Sequence, residues 1–568
     1  MIYKKCYATR LGGNKYKIHL WDEAGYDEIE WTNAAYQECD ESESEFRGLN
    51  YEPLKQIYKW DKNTPNLHFH DMKPHQKFLI ERYKNNDTPS KGHRELFFDI
   101  ECEIGGALTE EYIERAPMPI TSIAYWDKTP NKWVILILDK QSQLQQFKSE
   151  NKEIIPIATE RQLLTKFIEH FRSIDPDILI GYNSDFFDIP YLYYRMCNVL
   201  GSEVASYLSP INQVTCKKGN DYWYVENQYV QIVGVESLDY MRLHKKYSWK
   251  DEPSWKLDAI GAKYAGLNKI EFDGNLDQLF ATDIHKFIEY NFRDVEILKA
   301  LDEKLQYIGL TKNLAHKGKH NYSEVYQNSV TQDGAISAYL LKNGIIPPRR
   351  DPNPQSKKGY AGGYLFCPKA GLYKYMFDED LTSLYPSIII SLNIGKETYT
   401  GRILDADDRN NRLGLGDLKQ MDPNDTVLVE NPKGKQARVE IEKLINIIET
   451  QKWTISANGS MFKTDRESTL ATILKKWFQE RVDYKNLMKK AYKAGDKEKG
   501  EYYHLMQYTM KILLNSLYGA TALPSFRYGM SFSILSEAIT LSGWRIIQES
   551  ALAANRHMNK VIKGQITL

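Results

Sequence analysis

Acidic residues at the ends of strands and helices are where this chain could do chemistry. Arg94-Glu95-Leu96-Phe97-Phe98-Asp99-Ile100-Glu101 reads as an apolar strand ending in acids. Strand side chains alternate faces, so Asp99 and Glu101 point the same way. Two carboxylates on one face repel unless a cation sits between them, and oxygen ligands select hard ions such as magnesium or manganese. Taken alone, the pair reads equally well as the edge of a surface hairpin. In Asp177-Ile178-Leu179-Ile180-Gly181-Tyr182-Asn183-Ser184-Asp185-Phe186-Phe187-Asp188-Ile189-Pro190, a strand breaks at Gly-Tyr-Asn and a helix follows. Pro190 suits the first turn of that helix. Asp188 would cap it and offer its second oxygen to a metal; a cap alone is the competing account, and Asp185 reads as a turn residue. From Ile284 to Leu298 the apolar spacing is helical. Tyr290 and Asp294, four apart, share a face. A Tyr one turn from an Asp can hold a water that a metal ionises; an ordinary amphipathic helix with a buried Tyr explains the same pattern.

The second half carries one more acid of this kind. Asp380-Leu381-Thr382-Ser383-Leu384-Tyr385-Pro386-Ser387 follows the aromatic run Leu372–Glu379, which predicts a buried strand. Asp380 then lies at a strand end, beside exposed backbone, and the isoleucines after Ser387 predict a helix or apolar segment. A carboxylate capping a strand-to-helix turn is the simpler reading. Further on, Arg481 and Lys485 are four apart, and Lys511, Asn515 and Tyr518 fall at i, i+4 and i+7. These spacings predict two long antiparallel helices with basic inner faces, turning at Ala494-Gly495-Asp496-Lys497. Helical lysines are usually solvated, but cations fixed this way suit a triphosphate.

The elements that must position these groups come from a long chain. At 568 residues, roughly three to five domains are expected. Its 42% hydrophobic content is ordinary for a folded protein, and no apolar run approaches the ~20 residues of a membrane span. The start, Met-Ile-Tyr-Lys-Lys-Cys, has no secretory pattern. Six scattered cysteines without a Cys-x-x-Cys pair argue for reduced thiols in a cytoplasm and against zinc. Formal net charge is zero, so only local basic patches can argue for nucleic acid.

Residues 1 to about 93 read as an accessory β-rich domain with two or three strands from Tyr7 to Trp31, a solvated acidic loop at 40–45, and histidines 68 and 70 as satisfied or solvent-facing. Cys216–Val225 predicts a hairpin turning at Gly219-Asn220. Ser237–Met241 and Ser254–Asp258 are assigned to packing. Residues 312–353 read as a linker-like return, with a proline-rich break from Ile345 to Pro354. Tyr360-Ala361-Gly362-Gly363-Tyr364 follows, as a flexible junction or as a place where glycines admit a phosphate close to the main chain. Asp405–Asn411 reads as a polar loop and Val439–Lys452 as a helix, with no function assigned to the 401–455 stretch.

Asp-Leu-Thr-Ser-Leu-Tyr-Pro-Ser at 380–387 resembles the first catalytic motif of family B DNA polymerases, closest to those of T-even-like tailed phages. Lys-Ile-Leu-Leu-Asn-Ser-Leu-Tyr-Gly at 511–519 resembles the second motif. The three earlier acidic segments, in order, resemble the motifs of the DnaQ-like 3′–5′ exonuclease domain such polymerases carry. The resemblance implies that Asp99, Glu101, Asp188 and Asp294 bind metal, with Tyr290 positioning the attacking water. Phosphodiester hydrolysis by two ions about 4 Å apart fits four acids. It implies catalysis at Asp380, with the Leu381 carbonyl on a metal. Leu381, Ser383, Leu384, Tyr385, Arg481, Lys485, Lys511, Asn515 and Tyr518 would contact the nucleotide, and Tyr360, Gly362 and Gly363 the template backbone. Tyr385 would leave no room for a 2′-hydroxyl. The implied cofactor is Mg2+ or Mn2+, two per active site.

The implied fold is multidomain α/β and α+β: a β-rich N-terminal domain (1–93, with 312–353 returning to it), a ribonuclease H-like exonuclease domain (94–311), an incomplete palm (354–465 and 523–568, with an insertion about 401–455) and helical-hairpin fingers (466–522), without a thumb. The family's third motif, Asp-Thr-Asp-Ser, occurs nowhere in the sequence. A split gene, a partial sequence and an independent role all account for that; a split polymerase is the reading adopted. It expects proofreading by this chain alone, and polymerisation of phage DNA on primer-template with deoxynucleoside triphosphates once a second polypeptide brings the third motif and thumb, with a sliding clamp reached through that subunit. A stand-alone 3′–5′ exonuclease, or a non-catalytic primer-template binding fragment, is the alternative. The expected location is the host cytoplasm.

Overall fold

The strand that carries Asp99 and Glu101 forms as Glu95–Cys102 inside a mixed seven-stranded sheet. The computed structural model describes residues 2–61, 63–103, 105–220, 226–248, 251–355, 362–367, 370–372, 380–381, 383–405, 414–523 and 525–562. The chain divides into two compact units, Met1–Asn33 with Met72–Gly334, and Ala34–Asp71 with Ala335–Leu568.

In the first unit the sheet order is Phe147–Lys148, Lys152–Ile157, Lys132–Leu138, Ile120–Asp127, Glu95–Cys102, Ile178–Gly181, Glu236–Asp239. The acidic strand is antiparallel to Ile120–Asp127 and parallel to Ile178–Gly181. Alternation divides its side chains between two layers. Leu96, Phe98 and Ile100 enter a core with Leu163, Phe167 and Leu192 from the helices Glu160–Ile174 and Asp188–Leu200. Asp99 and Glu101 take the other face, which the 22-residue helix Ile284–Leu305 covers. The acids therefore sit between sheet and helix rather than on an open edge.

Three antiparallel strands, Tyr3–Gly12, Lys15–Asp22 and Gly25–Thr32, form a second sheet in this unit. The helix Pro74–Tyr83 packs on it through Phe78, Leu79 and Tyr83. The segment expected as a linker-like return is mostly helical: Tyr307–Gly318, a 3-10 turn Tyr322–Tyr326, then Asn328–Lys342. Tyr3 donates its hydroxyl to the carbonyls of Ala315 and His320 at 3.0 and 3.1 Å. Cys6 and Asn321 exchange two hydrogen bonds of 2.8–2.9 Å. A segment buried on several sides has no single apolar stripe, so its helices leave no amphipathic signal. Gly334 is forced by this packing, since a Cβ there would lie 1.7 Å from the Gly318 carbonyl oxygen.

The hairpin pairs Val214–Asn220 with Glu226–Ile232. Gly219 and Asn220, expected at its turn, are paired strand residues opposite Asn227 and Glu226. The turn falls in 221–225, outside the described residues.

In the second unit, Ile345–Ile346 runs parallel to Phe46–Gly48 and adds an edge strand to four strands from residues 35–68. Buried Arg527 donates to Asp71 Oδ1 at 2.7 Å and to the Pro348 carbonyl at 2.6 Å. Another five-stranded sheet takes the order Gln436–Glu440, Thr426–Glu430, Tyr399–Ile403, Ser460–Phe462, Thr454–Ile455. The helix expected over 439–452 runs Ile441–Thr450, because Val439 and Glu440 belong to the preceding strand Gln436–Glu440. The helices Thr469–Lys493 and Lys497–Thr521, 25 residues each, are about 37 Å long. Gly495, at φ +76°, makes the turn between them and Asp496 caps the second. They pack closely enough that a Cβ on Gly500 would strike the Tyr492 ring at 2.4 Å.

Candidate functional sites

In the first unit, Asp99, Glu101 and Asp294 offer carboxylate oxygens that all lie within 4.8 Å of one another. Two come from alternate positions of one strand and the third from the covering helix, so three acids converge without any loop. Burial first, then Asp294, Glu101 and Asp188, raises the Asp99 carboxyl well above its ordinary range. Burial and Asp294 push Glu101 up to about 8, against the pull of Lys269. Asp294 Oδ1 is buried with no hydrogen-bond partner among the described residues. Crowded, partly unsatisfied carboxylates are what an oxygen-seeking cation relieves.

Asp188 lies outside the 4.8 Å set but in the same electrostatic field. It is the first helical residue, not the cap, which is Phe187. Its Oδ1 accepts from the Ile100 amide at 3.3 Å, which ties it to the acidic strand. Burial raises its carboxyl to about 7, opposed by that hydrogen bond. Tyr290 is buried one turn before Asp294. Asp185, expected as a plain turn residue, accepts from Arg242 at 2.6 Å and from Ser237 Oγ at 2.6 Å. Asp239 caps the next helix through Met241 and Arg242, as packing would require.

Sequence reasoning missed Lys269. Its ammonium donates to Tyr290 Oη at 3.0 Å and also binds Asp294. It pulls down the carboxyls of Asp99, Glu101 and Asp188 against the effect of their burial. Lys269 sits in a loop, with its amide held by Asp258 Oδ1 at 2.7 Å, so no periodicity marks it. Asn291 was missed as well; it donates to Asp99 from inside the helix.

In the second unit, Asp380 and Leu381 are exposed, and the strand expected before them falls on residues 373–379, outside those described. Ser383 has φ +56° and starts the helix Leu384–Ser391. That helix packs against both long helices, and the Tyr385 and Tyr518 rings meet at 4.5 Å. Arg481, Lys485 and Lys511 share one neighbourhood. Arg481 comes first among the causes lowering the Lys485 ammonium, ahead of burial, Lys489 and Lys511. Arg481 Nε is buried without a hydrogen-bond partner among the described residues. Like charges gathered in this way suit an anion. Asn515 is exposed one turn beyond Lys511. Among the described residues no contact joins Asp380 to these cations. The Gly362 carbonyl accepts from Trp544 Nε1 at 2.7 Å, and a Cβ on Gly363 would lie 3.5 Å from Tyr385 Oη. Tyr360 is outside the described residues.

Residues 327–566 match the sequence model of DNA polymerase family B, and residues 51–260 match that of the same family's exonuclease domain. The chain belongs to DNA polymerase family B. It is similar to the DNA-directed DNA polymerase of Escherichia phage RB69, with 29% identity over 427 residues covering 72% of this chain and 46% of that protein. Against the DNA-directed DNA polymerase of Enterobacteria phage T4 the identity is 27% over 456 residues, covering 72% and 47%. Against DNA polymerase 1 of Sulfolobus acidocaldarius it is 25% over 472 residues, covering 79% and 47%. The chain spans about half the length of these relatives. Asp99, Glu101 and Asp188 lie inside the exonuclease match; Asp380 and the paired basic helices lie inside the polymerase match. Among the described residues of this family B chain, no helix is long and apolar enough to cross a membrane.

Proposed function

We propose that this chain is the proofreading part of a replicative phage DNA polymerase, removing nucleotides from 3′ ends and contributing half of a polymerase site. The convergence of Asp99, Glu101 and Asp294 carries the reading. The crowded acids and the unpartnered Asp294 oxygen fit a divalent cation. Asp99, Glu101, Asp188 and Asp294 would hold two Mg2+ or Mn2+ ions, which when bound activate water and stabilise the leaving oxygen. Tyr290 orients the attacking water by its hydroxyl. Lys269 fixes that hydroxyl and offsets the negative charge of the acids until cations arrive. The seven-stranded mixed sheet supports a ribonuclease H-like assignment for this domain.

In the second unit, Asp380 and the Leu381 carbonyl face the polymerase cations in this reading. Arg481, Lys485 and Lys511 neutralise charge developing on the triphosphate, with Asn515 beside them. Ser383 and Leu384 line the nucleotide site, Tyr385 lies beneath the sugar, and Tyr518 stacks near the nascent pair. Tyr360, Gly362 and Gly363 meet the template backbone. The paired helices act as fingers and the sheet of residues 399–462 as part of the palm. The Asp-Thr-Asp-Ser carboxylates and a thumb, on whichever polypeptide they are carried, complete the polymerase site and reach a sliding clamp; the assembled polymerase works in the host cytoplasm. An open apolar groove of about 650 Å3 beside Leu381, lined by Leu384, Ile388, Leu392, Ile455 and Ile546, supports a partner there.

The test is degradation of end-labelled single-stranded DNA by the purified chain. Cleavage from the 3′ end with Mg2+, lost by about 10^3-fold or more in an Asp99→Ala, Glu101→Ala variant, is the expected result. Equal activity in that variant, or none in either protein, overturns it. Extension of a primer by the completed polymerase should be lost in Asp380→Ala.

A further inference from the structure

Two polar side chains stand behind Asp99, and both are fully buried. The Asn291 amide donates from Nδ2 to Asp99 Oδ2 at 2.7 Å. Ser122 Oγ donates to Asn291 Oδ1 at 2.8 Å. Once Asp99 is ionised, as a bound cation requires, the polarity of this relay is fixed. An ionised carboxylate only accepts, so the NH2 end of the amide must face Asp99. The amide oxygen is then turned to Ser122, whose hydroxyl must donate. Neither the amide nor the hydroxyl can reverse without leaving two buried polar atoms opposed.

The relay also ties the two elements that carry the cluster to the neighbouring strand Ile120–Asp127. Ser122 sits directly opposite Glu101 across the strand pair. Asn291 is on the helix Ile284–Leu305, between Tyr290 and Asp294. A carboxylate turns about its Cβ–Cγ bond unless something holds it; here one oxygen is held by an amide that is itself held.

We propose that Asn291, backed by Ser122, is a positioning residue that sets the plane of the Asp99 carboxylate for cation binding. This rests on the exonuclease reading, which assigns Asp99 to a cation. Hydrogen-bonding partners behind metal ligands are worth about 10–100-fold in affinity. Asn291→Leu keeps the volume and removes the donor. Ser122→Ala leaves the amide in place but frees it to turn.

The experiment is Mn2+ titration of the full chain without DNA, following the electron paramagnetic resonance signal of free Mn2+. Asn291→Leu should weaken binding about 10-fold or more. Ser122→Ala should weaken it less, and the double variant should bind no worse than Asn291→Leu, because the hydroxyl acts only through the amide. Thermal unfolding identifies any variant that is not folded; if Asn291→Leu fails there, Ser122→Ala decides alone. Wild-type affinity in every folded variant, with binding lost in Asp99→Ala, overturns the relay and leaves the exonuclease reading standing. Binding unchanged in Asp99→Ala overturns both.

Discussion

Without cations, charging the acidic cluster should cost the folded chain stability, and pH sets how much. Glu101 shows the sign. Burial and Asp294 hold its folded carboxyl up to about 8, against an ordinary 4.5. Between those values the folded chain keeps a proton that the unfolded chain has lost, so stability falls as pH rises. Each pH unit is worth about 1.4 kcal/mol. From pH 6.5 to 8 the loss is about 2 kcal/mol, trimmed towards 1 by solvent at this half-buried site. For a unit of this size that is roughly 3–6 °C of melting temperature. Burial lowers His93, His316 and His320, so these destabilise only as pH falls through 6.5; burial also lowers Lys246 to about 7, which opposes the trend equally in the wild type and in Glu101→Gln. The assay is thermal unfolding at pH 6.5 and 8, in EDTA and in Mg2+, for the wild type and Glu101→Gln. The wild type in EDTA should lose more between the two pH values than Glu101→Gln, and Mg2+ should remove the difference. Identical slopes for both proteins in EDTA would refute the reasoning.

Lys269→Met should destabilise the cation-free chain by about 3 kcal/mol at pH 8, since it strands the buried Asp294 carboxylate, and by less at pH 6, where the acids can protonate; urea unfolding at both pH values checks this. Arg481→Ala, Lys485→Ala and Lys511→Ala should each weaken binding of a fluorescent deoxynucleoside triphosphate by about 1–3 kcal/mol, with a reduced salt dependence. Asp71→Ala should cost about 3–5 kcal/mol, because Arg527, fully buried, loses its carboxylate; Asp71→Asn, which keeps an acceptor, should cost less in the same melts.

The acidic strand was legible because strand alternation has one outcome once the apolar residues are read: Leu96, Phe98 and Ile100 inward to one layer, Asp99 and Glu101 to the other. Tyr290 and Asp294 were legible for the matching reason in a helix. Gly495 and Asp496 marked the turn between the long helices through conformations that side chains rarely tolerate or that caps prefer. What escaped had no periodic signature. Lys269 acts from a loop, and Asn291 and Ser122 sit among core residues, where an isolated polar side chain looks like any other. The helices from Tyr307 to Lys342 were hidden because burial on several sides erases the stripe. Asp188 was placed one position early, as a cap, since Asp at a helix start usually caps; here Phe187 takes the cap and the Ile100 amide takes the carboxylate.

The central claim is that the acids of the first unit gather a pair of cations. Diffraction from crystals of the chain soaked in Mn2+, recorded at the manganese absorption edge, tests it most directly. Two anomalous peaks about 4 Å apart, among the carboxylates of Asp99, Glu101, Asp188 and Asp294, are the predicted result. A map with manganese elsewhere on the protein and none among these four carboxylates would contradict it.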